Sequence, residues 1–237
     1  MGALETLLAV QEVDTAIDQL EHRRVALAER AALTAAQGRR ADVDARVAEV
    51  QARRDEIGGR QARLEEEVAR TEARIVEVDK VLYSGTVSAS RELQAMAEEV
   101  ESLKARRSSL EDDVLLTMEE AEPVDAELAA LAVEREQETA EIARLEAAIA
   151  AAETEIDAEL GERRGERTAV ASSVPDELLA TYERLRAKLG GVGAARLVGP
   201  SCSGCHLTLP ATELDRIKRE PPDSLVFCDQ CGRILVH

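Results

Sequence analysis

Leu82-Tyr83-Ser84-Gly85-Thr86-Val87-Ser88-Ala89-Ser90-Arg91 is the stretch whose reading settles the fold. Its glycine, serines and threonine interrupt both helical periodicity and helix propensity, so the sequence predicts a turn over 83–90. Ser90 is placed to cap a following helix whose apolar seam opens at Leu93. On the N-terminal side, steps of four and three from Val43 give Val47, Val50, Arg54, Ile57, Gln61, Leu64, Val68, Thr71, Ile75, Val78 and Leu82. Nine of these twelve are apolar, which is the seam of a coiled coil. On the C-terminal side the same spacing runs from Leu93 through Met96, Val100 and Leu103 to Leu128 and Leu131, then resumes from Ile142 to Ile156. An earlier run reads Val10, Val13, Ile17, Leu20, Arg24, Leu27 and Ala31.

Residues 5–82 and 89–168 make arms of 78 and 80 residues. As helices each spans about 110–120 Å. Equal arms joined by a short turn predict an antiparallel helical hairpin. In such a hairpin, facing residue numbers have a constant sum. A sum of 171 pairs Val78 with Leu93, Ile75 with Met96, Ile57 with Val114 and Val43 with Leu128, and it holds over eleven successive layers. Phase agreement alone has roughly a one-in-seven chance for a heptad repeat. Toward the open end the sum falls to 169, as for Leu20 with Ile149 and Val13 with Ile156, so a register slip is expected near Gly38. Gly58-Gly59 and Pro123 are further expected bends. Asp42/Arg46, Glu49/Arg53 and Glu66/Arg70 stand at i,i+4 with the acid first, the favourable order on a helix.

Composition agrees with this reading. The chain of 237 residues has two Tyr, one Phe and no Trp, whereas 33% of it is charged and 45% hydrophobic. A single large core normally leans on aromatic area, and this balance points to long helices. No apolar run is long enough to span a membrane. Met1 to Leu20 carries acids and no basic n-region, unlike a signal peptide. The expected compartment is the cytoplasm. The net charge is −18. Residues 171–237 hold eight bases and eight acids, so 1–170 carries the whole excess and should repel phosphate backbones.

The expected domains are 1–170, the coiled-coil hairpin, and 171–237, a short helix followed by a small β-rich segment. The hairpin is expected to end around Gly161–Gly165. Ser172-Ser173-Val174-Pro175 then breaks the chain, with Ser173 or Asp176 as capping candidate for a helix over Glu177–Leu189. Gly190-Gly191-Val192-Gly193 lacks the order of a nucleotide loop and reads as a helix stop.

All four cysteines lie in the last 36 residues, as Cys202-Ser-Gly-Cys205 and Cys228-Asp-Gln-Cys231, 22 residues apart. Two C-x2-C pairs have the spacing of a tetrahedral site for one structural Zn2+, because a tight turn brings two thiolates to one ion at ~2.3 Å each. Disulfides are disfavoured in a reducing compartment. Four thiolates fill the tetrahedron, so His206 is not expected to be a ligand and no position is left for a water nucleophile. Short runs at Leu197-Val198, Leu207-Thr208-Leu209, Leu225-Val226-Phe227 and Ile234-Leu235-Val236 predict hairpins around the metal. Ala211–Arg219 is expected to be a helical insert ended by Pro221-Pro222. No catalytic motif is present, and no enzyme activity or small-molecule substrate is expected.

Val81-Leu82-Tyr83-Ser84-Gly85 with Arg91-Glu92-Leu93-Gln94-Ala95, and the tail Cys202-Ser-Gly-Cys205, Leu207-Thr-Leu-Pro210 and Cys228-Asp-Gln-Cys231-Gly232-Arg233-Ile234-Leu235, resemble the bacterial C4-type zinc-ribbon coiled-coil family. The resemblance implies a non-enzymatic adaptor that binds nucleic acid, protein, or both. Nucleic-acid contacts would fall on Arg184, Arg186, Lys188, Arg196, Arg216, Lys218, Arg219 and Arg233. The alternative is a purely structural protein–protein spacer or chaperone. Residues 200–237 hold four bases against five acids, and zinc bound by four thiolates adds a formal −2, which counts against direct nucleic-acid binding by the ribbon.

Overall fold

The computed structural model describes residues 2–221 and 223–237. The chain is mainly α. It forms α1 (Ala3–Val25), α2 (Ala28–Leu82), α3 (Ser90–Ala171) and α4 (Asp176–Lys188), then β1 (Ala194–Val198), β2 (Ser201–Cys202), α5 (Ala211–Arg219), β3 (Val226–Phe227) and β4 (Ile234–Val236). α2 and α3 are the antiparallel arms of a long helical hairpin, and its turn joins Leu82 to Ser90.

Two compact units make up the chain. One compact unit is Met1–Ala32 with Leu145–His237, and the other is Leu33–Arg144. In the second, Val43, Val50 and Ile57 of α2 pack with Ala121, Val124 and Leu131 of α3. Ile75 and Val78 pack with Val100, Met96 and Leu103. These layers correct the expected register by one heptad: the facing numbers sum to 178 and not 171, as for Val78 with Val100, Ile75 with Leu103, Ile57 with Ala121 and Val47 with Leu131, because a seven-residue repeat leaves the same apolar phase after a shift of seven. Charged side chains then flank the seam. Arg46 pairs with Glu134 at 3.1 Å, Arg74 with Glu99 at 2.8 Å and Arg106 with Glu67 at 3.7 Å, and Arg53 pairs with Glu127 and Arg60 with Glu120. All ten residues occupy the same flanking heptad position, one before each alternate seam residue. A slip of one heptad would set Arg106 and Glu67 against like charges, whereas Arg46, Arg53 and Arg60 would meet acids again. The net worth of each exposed pair is about 0–1 kcal/mol, so the ladder adds little stability and only its Arg106–Glu67 step opposes a slip.

The seam's own arginines find carboxylates one position past the facing seam residue. Arg54 reaches Asp125 at 2.6 Å, Arg135 reaches Asp44 at 3.0 Å, and Arg107 reaches Glu72. The aliphatic stems lie along the seam while the guanidinium groups reach out. Of the expected i,i+4 pairs, Glu66–Arg70 stands at 3.9 Å, whereas Arg46 and Arg53 pair across the hairpin instead.

The expected slip near Gly38 is corrected by the structure. Gly38, Gly58-Gly59 and Pro123 all lie inside α2 or α3. The break falls at Ala26-Leu27, between α1 and α2. His22, Arg23 and Arg24 close the last turn of α1, where basic side chains complement the helix dipole. Arg30 donates to the Arg24 carbonyl at 3.4 Å and also pairs with Glu153 at 2.5 Å, so the exposed carbonyl end is satisfied without glycine or proline.

The first unit contains the small sheet, ordered β2-β1-β4-β3. β3–β4 is the expected hairpin across the second knuckle; at the first, β1 pairs with Ser201-Cys202 before the knuckle, and the expected strand at Leu207–Leu209 is reduced to a bridge from Thr208 to Ser201. A parallel β1–β4 pairing, Ala194 to Ile234 through Arg196 to Val236, joins the two pairs into one sheet. One face of that sheet packs against helix: Leu4, Leu7, Leu8 and Val10 of α1 share a core with Tyr182, Ala194, Ile234 and Val236. The other face, with Ala195 and Leu235, packs on Ile217 of α5 and the cysteines. α4 begins at Asp176 with Pro175 at its cap position and no side-chain cap bond, and α3 runs past Gly161–Gly165 to Ala171. α5 ends at Arg219, and Glu220 is already extended. The part of the expected stop that rests on Pro222 lies outside the described residues. Among the described residues no helix is long and apolar enough to cross a membrane.

Candidate metal centre

Two turns of the same construction hold the cysteines. After β2, the N–H of His206 donates to the Cys202 carbonyl at 2.8 Å, and the N–H of Cys202 donates to the Leu207 carbonyl at 3.1 Å. After β3, the N–H of Gly232 donates to the Cys228 carbonyl at 2.7 Å, and the N–H of Cys228 to the Arg233 carbonyl at 2.9 Å. His206 and Gly232 both have a left-handed backbone, with φ of 60° and 71°. Each knuckle therefore folds its second cysteine back over the first and needs positive φ at the next residue. Glycine adopts this freely, and histidine is among the residues that tolerate it.

The four Sγ atoms lie within 4.8 Å of one another. Cys202 to Cys231 and Cys205 to Cys228 are each 4.0 Å. A tetrahedron with ~2.3 Å metal–sulfur bonds has edges of about 3.8 Å, so the quartet fits one zinc ion. The same separations are about twice a disulfide bond, and all four cysteines are free. Among the described residues the cluster consists of these four alone, and His206 is not in it.

The surroundings are prepared for sulfur. Cys202 and Cys228 are buried against Leu209, Ile217 and Leu235. Burial pushes the Cys228 thiol up to about 12 and also raises Cys202. Burial acts upward on Cys231 too, but the backbone N–H and side chain of Arg233 outweigh it and bring that thiol down to about 7. The N–H of Gly204 points to Cys202 Sγ at 3.4 Å. Such outer contacts orient ligands. A side chain at Gly204 would place Cβ 2.6 Å from Arg233 Cδ, so glycine is required there for Arg233 to pass.

The eight candidate cations divide into two groups. Arg233 donates to the Val192 carbonyl at 3.0 Å and the Leu189 carbonyl at 3.2 Å, tying the second knuckle to the glycine corner. Arg196 pairs with Glu5 at 2.8 Å, Arg216 with Glu213 at 2.8 Å, and Arg186 with Asp18 and Asp14. Among the described residues, no ion pair engages Arg184 and Lys188 on α4 or Lys218 and Arg219 on α5.

A second polar cluster was not foreseen. Asp14 of α1 is buried, accepting from Tyr182 Oη at 2.7 Å and Arg167 Nε at 2.7 Å. Burial, then the bond to Asp14, raises the Tyr182 hydroxyl far above its usual range. Buried Gln11 accepts from the N–H of Gly193 at 2.7 Å and donates to the Gly191 carbonyl at 3.0 Å. A Cβ on Gly193 would come within 2.8 Å of the Tyr182 carbonyl. The glycine corner is thus a helix stop, as expected, and also the socket that receives α1.

Residues 10–190 match the model of the CT398-like coiled coil hairpin domain, and 201–235 match the C4-type zinc ribbon domain. An uncharacterized protein of Mycobacterium tuberculosis is 30% identical over 232 residues, covering 98% of this chain and 94% of that one. A solved structure from Mycobacterium smegmatis superposes with a TM-score of 0.88 at 27% identity, covering 100% and 99% of the two chains. CT398 from Chlamydia trachomatis shares the fold, with a TM-score of 0.67 at 22% identity over 99% and 97%. With a hairpin matched over most of its length and a sulfur quartet of the right size at its C-terminal end, the chain belongs to the CT398-like coiled-coil hairpin family with a C4-type zinc ribbon.

Proposed function

We propose that the protein is a non-enzymatic, cytoplasmic adaptor whose zinc ribbon binds a protein partner. The observation that carries this is the ribbon's surface. Val198, Leu207, Leu225 and Phe227 are exposed around a segment whose core is already filled by Leu209, Ile217, Val226 and Leu235. Large apolar side chains left outside a satisfied core are what protein interfaces use. Four thiolates saturate a tetrahedral ion and cross-link the two knuckles, a structural role that leaves no open position for chemistry. Half of the candidate cations hold the fold together, and the ribbon with zinc is net negative, so phosphate binding is weakly supported.

The test combines two measurements on the full chain. Titration of single- and double-stranded nucleic acid at low salt should show no binding. Cross-linking in the native cell should capture a partner that Leu207→Lys with Phe227→Lys loses. Salt-dependent nucleic-acid binding abolished by replacing Arg184, Lys188, Lys218 and Arg219 would overturn the reading.

A further inference from the structure

The hairpin seam is closed at both ends of the Leu33–Arg144 unit and half open in its middle. From 58 to 70 on α2 and from 101 to 116 on α3 no described residue is fully buried. The register explains why. The intervening layers, Val68 with Leu110 and Leu64 with Val114, are flanked by the polar layers Thr71 with Arg107 and Gln61 with Thr117. A groove of about 320 Å³ opens there between Glu65, Val68, Glu111, Val114 and Leu115. On the other side of the seam a groove of about 420 Å³ is lined by Arg60, Arg63 and Leu64 with Asp113 and Leu116, so the uncompensated acidic side is the one beside Val68.

The same turn of α3 exposes Leu115, Leu116 and Met118 at 57, 56 and 47%. Acids stack above and below this apolar turn: residues 111–122 carry six acids and no base. Among the described residues, no ion pair engages Asp112, Asp113, Glu119 or Glu122. A second copy of the chain would bring the same negative charges against them. Nucleic acid and anionic membranes are repelled by the same sign. What fits is a cationic element with an apolar centre. A helix suits it, because a helical surface offers no free backbone groups with which an extended strand could pair.

We infer that the half-open middle of the hairpin, on the side centred on Leu115 and Met118, is a docking surface for a basic amphipathic helix of a partner protein. This shares with the ribbon reading only the premise that the molecule binds protein, and it places the contact on a separate surface. Docking on this side of the seam covers Leu115 and Met118, fills the groove beside Val68, and sets lysines or arginines against the unpaired acids. The apolar turn supplies affinity and the acidic bands supply orientation and encounter rate.

The probe is a fluorescent Leu/Lys peptide of helical period, titrated into the full chain by anisotropy. The expected result is saturable one-to-one binding that weakens at least about tenfold in L115Q/M118Q. A peptide of the same composition with its periodicity scrambled should bind at least about tenfold more weakly. Circular dichroism should show unchanged helix in L115Q/M118Q, because both side chains are exposed. Leu207→Lys with Phe227→Lys should leave peptide binding intact, which separates this surface from the ribbon's. Equal binding of L115Q/M118Q, or equal binding of the scrambled peptide, would overturn the inference. So would a concentration-dependent dimer in sedimentation that L115Q/M118Q abolishes, since the occupant would then be a second copy.

Discussion

At Gly232 and His206 one backbone geometry is met by two residues of unequal cost. Gly232→Ala places a Cβ at φ 71°, which should destabilise the ribbon by about 1–2 kcal/mol. His206→Gly relieves the same strain and should be neutral or stabilising, by up to about 1 kcal/mol. Denaturation of the zinc-loaded protein, followed by metal release, measures both; the opposite order would show that the two knuckles are not equivalent. Tyr182→Phe removes a donor from buried Asp14 and should cost about 1–3 kcal/mol. Asp14→Ala leaves Arg167 and Arg186 facing a void and should cost more, about 3–5 kcal/mol. Urea unfolding checks the ranking. The cysteines were legible in the sequence because metal geometry imposes a fixed spacing. Asp14 and Gln11 were not, because an acid or amide on an amphipathic helix has no local pattern that separates a buried partner from a solvated one. The roles of Arg233, Arg196, Arg186 and Arg216 were hidden for the same reason: charge is visible in a sequence, but its counter-charge is set by tertiary packing.

Among the elements, the turn between α2 and α3 was legible nearly to the residue, since period and turn composition agree there, whereas the facing register was missed by one heptad, because seam phase alone leaves the sum open by multiples of seven. The break at Ala26-Leu27 was missed because no glycine or proline marks it; the Arg30 side chain completes the helix end from outside the local sequence. The flanking ladder makes its own prediction. Arg53→Glu should lower hairpin stability by roughly 0.2–1 kcal/mol and Glu127→Arg in the same chain should restore it, as read by a double-mutant cycle. Two non-additive losses with no rescue would remove the pair from the ladder. Acid should also loosen the hairpin. The hydrogen bond from Arg39, with its charge, holds the Glu138 carboxyl below its usual range. Stabilisation from such a group is complete above the unfolded carboxylate pKa, about 4.3, and is lost as pH falls through the lower folded value. Thermal melts between neutral and acid pH should therefore show a falling midpoint, and Arg39→Gln should make the fall shallower.

For the whole molecule, the metal's influence follows from which core each element joins. The ribbon is too small to fold on buried area alone, so zinc supplies much of its folding free energy. α1 shares its core with Ile234 and Val236, whereas Leu33–Arg144 carries its own seam. Chelation should raise hydrogen exchange in α1 and β1–β4 and leave 33–144 protected. The sequence assigned α1 to the hairpin, and Val13, Ile17 and Leu20 do pack with Ile156 and Leu160 of α3; that Leu4 to Val10 also dock on the sheet was hidden, because both kinds of packing have the same apolar period. The most direct measurement is X-ray absorption at the zinc edge on the purified full chain, with metal content determined in parallel. One zinc per chain surrounded by four sulfurs at ~2.3 Å is the predicted result; a shell containing nitrogen or oxygen, or protein that holds its fold with the cysteines paired as disulfides, would contradict it.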